Sequence, residues 1–220
     1  MAENCYGTQA RAAGIPDIER AALIREALRL EWFTITWMTG EAIIAIASGI
    51  AAHSISLTAF GIDSLIELAS AGVLIWRLSV ELKHGRTFSE TAERTASRIG
   101  GGLLFALAAY VIVAGGWGLW HREGAAFFWP GLIVTLLAIP VMYLLAKRKL
   151  AVGAQLGSGA LRADAVESIA CGWLSFAVAL GLLAQLVIGT WWIDSVTSLA
   201  VLWFLIKEGR EAWAGEACCD

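Results

Sequence analysis

Six long apolar runs, separated by short polar connectors, set the pattern of this chain: Leu30 to Ala52, Leu57 to Leu78, Ile99 to Trp120, Phe127 to Ala146, Leu161 to Val187 and Trp191 to Ile206. A helix needs about 20 apolar residues to cross a hydrocarbon core, and all but the last run reach that length. The sixth is short but can be extended at either end. The runs are continuous and do not alternate apolar with polar positions, so they predict helices and not the strands of a barrel. The expected fold is an all-α integral membrane protein with six transmembrane helices. No connector is long enough to form a separate soluble domain. The chain therefore divides into a cytoplasmic amphipathic segment at 1–29, a six-helix membrane domain at 30–206 and a short cytoplasmic tail at 207–220.

Composition agrees with this division. Of the 220 residues, 58% are hydrophobic and only 16% charged, against about 45 to 50% and about 25% in soluble domains. The formal net charge of -3 excludes a nucleic-acid binder, which would carry a clustered basic surface. The placement of the basic residues sets the orientation. With both termini in the cytoplasm, fifteen of the sixteen Lys and Arg residues fall inside and only Arg122 outside. Trp32, Trp76, Trp117, Trp120, Trp129, Trp191 and Trp192 lie near span ends, where amphipathic rings anchor at the interface. The first residues lack the order of a signal peptide, and Pro16 with Asp17 marks a helix start leading into the first span. Cys5, Cys218 and Cys219 fall on the cytoplasmic side, where reduced thiols are expected.

Acidic residues inside the spans change the picture from architecture to chemistry. Glu41 lies in the first span, Asp63 and Glu67 in the second, Asp164 and Glu167 in the fifth and Asp194 near the start of the sixth. Each would cost about 2.5 to 3.5 kcal/mol facing lipid at the membrane centre. They must therefore face protein, water or a cation. Asp63 and Glu67, four apart, stack on one helix face and repel each other. No Lys or Arg is embedded within a span to separate them, Arg77 and Arg162 falling at span ends, which points to an external cation or to protons. Asp164, Glu167 and Cys171 follow one another at three and four residues along a face of the fifth span. Carboxylates with a thiol are metal-ligand chemistry, the sulfur favouring Zn2+ or Cd2+ over Mg2+ or Ca2+. Glu41, Asp164 and Asp194 are secondary candidates for a polar or proton pathway, with capping and packing as the ordinary explanation. His53, His84 and His121 all fall at loops or span ends, so no Ser-His, Cys-His or HExxH arrangement is expected within the bundle.

The second span, SISLTAFGIDSLIELASAGVLIW, the fifth, GSGALRADAVESIACGWLSFAVALGL, and the sixth, WWIDSVTSLAVLWFLIKEGREAW, resemble the corresponding spans of the cation diffusion facilitators, which are proton-coupled exporters of divalent metals. The resemblance covers most of residues 30 to 213. It implies a metal site made of Asp63 and Glu67 with Glu167 and Cys171. Three of these depart from the family's commonest pattern: Glu67 is a longer acid, Glu167 stands for a His or Asp, and Cys171 for an Asp. It also implies export of a divalent cation, Zn2+ first and Cd2+, Fe2+ or Co2+ next, in exchange for protons. The metal is substrate, and no organic cofactor is expected. The family's usual cytoplasmic C-terminal domain is absent from this sequence, which leaves the membrane helices to form a homodimer. That absence also keeps a second class open, a metal-binding or scaffold membrane protein that associates with a full-length family member. The compact sequence suggests a bacterial inner membrane.

Overall fold

The computed structural model describes residues 17–84, 90–121 and 124–214. Cys5, Arg122, Cys218 and Cys219 lie outside the described residues. The described segments form helices α1 (Asp17–Ala52), α2 (Ile55–His84), α3 (Glu90–His121), α4 (Trp129–Leu156), α5 (Gly159–Ile188) and α6 (Ile193–Ala214). No strand occurs among the described residues. The first five are long and apolar enough to cross a membrane. Helix α6 falls short by that standard because Asp194, Lys207, Glu208, Arg210 and Glu211 leave only its middle uncharged.

Most helices extend beyond the apolar runs that predict them. Helix α1 begins at Asp17 and continues without a break into the first span. Helix α4 runs unbroken through Pro140 and on to Leu156, ten residues past the expected end at Ala146. Nothing between Lys147 and Leu156 breaks a helix. The stop comes at Gly157, whose left-handed conformation (φ 64°) caps α4 and suits a residue without a Cβ. Ser158 then caps α5 by accepting from the Leu161 N–H. The link between α4 and α5 is therefore a two-residue turn.

Large apolar side chains point outward and small ones inward. Trp32, Phe33, Ile43, Tyr143, Leu144 and Trp173 are exposed, whereas Ala27, Ala45, Ala59, Ala71, Ala138 and Ala165 are buried. This is the arrangement of a lipid-facing bundle, in which small residues let backbones approach. At Gly61 the space a Cβ would need is taken by Ile46 and Ala45 of α1, and at Gly181 by Thr197 of α6. The most extensive pairings join α1 with α2, α4 with α5 and α3 with α6, and α2 also meets α3, α5 and α6. Helix α2 thus stands centrally, with one face shared among its neighbours.

Asp194 is explained by this packing. Its Oδ1 accepts from the Ser54 and Ser56 hydroxyls, both at 2.6 Å, and its Oδ2 from the Ile55 N–H at 2.7 Å. An acid at the start of α6 thereby caps the exposed donors at the start of α2 and fixes the two helices in register.

Candidate metal centre

The buried faces of α1 and α2 both follow a repeat of three and four residues, so polar side chains placed in that repeat are carried inward. Along α2 the stripe runs Leu57, Phe60, Ser64, Ala71, Leu74 and Leu78, with Asp63 beside it at 2% exposure. Glu67 lies one turn further along the helix. Cys171, 1% exposed, comes from the inner face of α5 between Ser168 and Leu174. Donor atoms of Asp63, Glu67 and Cys171 all lie within 4.8 Å of one another. A tetrahedral Zn2+ holding its ligands at about 2.0 to 2.3 Å spaces them about 3.3 to 3.8 Å apart. The three donors therefore need to close by no more than roughly 1.5 Å to share one ion.

Helix α1 supplies a third acid at this level. Glu41 accepts hydrogen bonds from the Trp37 indole at 2.6 Å, from the Ser64 hydroxyl at 2.8 Å and from the Cys171 thiol at 3.8 Å. It touches the cysteine directly and holds a neighbour of Asp63, which places it behind the donor group. Such an outer acid orients the ligands in front of it. Glu167 is placed differently. It sits one turn before Cys171 on α5, outside the group of three, and its Oε2 accepts from Ser70 of α2 at 3.1 Å. Three of the four residues in the expected metal set thus meet, and the fourth stands beside them on its own hydrogen bond.

Asp164 belongs to a different assembly, and here a reading of the sequence needs correction. Lys149 is not a loop residue. It is completely buried on α4, where its ammonium pairs with Glu31 of α1 at 3.1 Å and with Asp164 of α5. The bundle therefore does contain an embedded cation, because α4 stays helical past Ala146 and turns Lys149 inward. That cation is committed to Glu31 and Asp164. It leaves Asp63 and Glu67 without a basic partner among the ion pairs of the described residues.

Sequence reasoning missed three residues here. Glu31, at the very start of the first span, was given no role, yet it is fully buried. A signal existed: Ile24, Ala27, Glu31, Thr34, Met38, Glu41, Ala45, Ser48 and Ala52 form one stripe at spacings of three and four, and all are buried. Lys149 carried no such signal within the short span assigned to α4. Glu208, assigned to the tail, lies near the same acids from α6 and is taken up below.

With this geometry in place, comparison with known proteins is decisive for class. The cation efflux transmembrane domain matches residues 32–213. The chain belongs to the cation efflux family. It is therefore a multi-pass membrane protein of a family of cation transporters and not of enzymes. Among curated proteins no match was found. The match takes in α2 and α5 whole and α6 as far as Trp213, and with them every residue of the acid and thiol group.

Proposed function

We propose that this cation efflux protein exports a divalent metal, Zn2+ first among the candidates, from the cytoplasm in exchange for protons. The observation that carries this reading is the convergence of Asp63, Glu67 and Cys171 in the interior, with no basic partner among the ion pairs of the described residues. Carboxylate and thiol donors around one point suit Zn2+ or Cd2+, and a hard-cation site would not include sulfur. Glu167 completes the set by leaving Ser70 when the metal arrives. It lies one turn from Cys171 on the same helix, so the two can face one point.

The exchange follows from the ligands themselves. Metal binds thiolate and carboxylate, so each ion that enters displaces whatever protons the empty group carries, and protons returning displace the ion. A site open alternately to the two sides then couples the two flows. Both termini lie in the cytoplasm in this reading, which puts the His84 end of α2 on the cytoplasmic side. Calorimetry of Zn2+ binding to the detergent-purified protein, run in buffers of different ionisation enthalpy, tests the coupling. We expect at least one proton released per Zn2+ and an apparent affinity that falls as pH is lowered. Binding without proton release, or with an affinity independent of pH, contradicts it.

A further inference from the structure

Glu208 is the acid that the reading above leaves without a role. It sits on α6, where fully buried Ser198, Val201 and Leu205 mark the inner stripe and Glu208 follows three residues later on the same face. Its Oε1 is buried and has no hydrogen-bond partner. The neighbouring cation is turned away: Lys207 is exposed, 3.8 Å from Glu211 and over the Trp203 ring. Helix α6 packs against both α2, which carries Asp63 and Glu67, and α5, which carries Glu167 and Cys171.

Helix register fixes its level. Asp194 of α6 is bonded to Ile55 at the start of α2, so the two helices begin side by side. Glu208 comes about 21 Å further along α6, while Glu67 and Ser70 come about 18 and 22 Å along α2. Glu208 therefore stands level with Ser70 and its partner Glu167, on the His84 side of Asp63. A buried carboxylate oxygen left without a partner lowers stability. Among the described residues no ion pair offsets that cost, whereas a passing cation does.

We propose that Glu208 is a further carboxylate of the cation path, which together with Glu167 holds a divalent cation between the His84 face and the group of Asp63, Glu67 and Cys171. The inference rests on the transport reading, and the test separates the two. The full-length protein is titrated with Cd2+, and the ultraviolet thiolate-to-metal absorption that is lost in Cys171→Ser reports on the centre itself. Cd2+ uptake into reconstituted vesicles and thermal unfolding are measured on the same preparations. For Glu208→Gln we expect the Cys171-dependent band to persist, uptake to slow by about tenfold or more, and the melting temperature to rise because an unpartnered buried charge is gone. Glu208→Asp should recover part of the uptake. Unchanged uptake with the band intact overturns the role of Glu208, and so does a lowered melting temperature, which would mark a structural residue. A parent protein without any Cys171-dependent band overturns the centre and this inference with it.

Discussion

Lys149→Met is expected to be the most destabilising single substitution in the bundle. The ammonium of Lys149 is wholly buried between Glu31 and Asp164, which come from α1 and α5. Removing it leaves two carboxylates facing each other in the interior, one of them, Glu31, already with an unpartnered Oε1. Breaking a buried ion pair by deleting one partner costs about 3 to 5 kcal/mol, a large share of the stability of an ordinary domain. The triple variant Glu31→Gln, Lys149→Met, Asp164→Asn removes all three charges together. It should recover most of the loss, since the penalty belongs to the uncompensated charge and not to the missing salt bridge. Thermal unfolding in detergent, followed by tryptophan fluorescence, checks both. A single variant as stable as the parent would mean that Lys149 is not the pin joining α1, α4 and α5.

The second large effect concerns the ligands. Asp63→Asn keeps the shape of the side chain but removes a charge from the donor group, and Zn2+ affinity should fall by about 100-fold or more, since even outer-sphere changes cost about 10- to 100-fold. Because Asp63 makes none of the hydrogen bonds that hold Glu41, Ser64 and Asp194, the fold should be unharmed. Cys171→Ser should act selectively, weakening Cd2+ and Zn2+ far more than Mn2+ because an oxygen replaces the soft donor. Isothermal titration with each metal measures the change. Equal losses for Cd2+ and Mn2+ would take the sulfur out of the coordination sphere.

How much of this was legible in the sequence follows from the kind of signal each feature leaves. The long helices were legible because apolar length is a one-dimensional property, and so was the pairing of Asp63 with Glu67, since four residues make a turn. The match across residues 32–213 bears out the family resemblance drawn from the second, fifth and sixth spans. The weaker membrane character of α6 was visible in its short apolar run. What remained hidden depends on helix ends and on neighbours. Lys149 looks like a cytoplasmic anchor until α4 is known to continue to Gly157. Glu31 looks like a polar residue at the mouth of the first span until the stripe through Ala27, Thr34 and Met38 turns it inward. Capping was the ordinary explanation for Asp194, but the helix it caps was hidden because its partners, Ser54 to Ser56, lie about 140 residues earlier. Glu167 is set apart from Cys171 by Ser70, a contact between helices that spacing along α5 does not encode.

The central claim is that this chain by itself moves metal against protons through the group at Asp63, Glu67 and Cys171. The most direct measurement is Zn2+ flux into proteoliposomes that contain only this protein, under an imposed pH gradient, for the parent and for Asp63→Asn. The account predicts Zn2+ uptake that follows the gradient, reverses when the gradient is reversed and is lost in the variant. A folded parent protein that binds Zn2+ but shows no flux, or an Asp63→Asn variant that transports as the parent does, would contradict it.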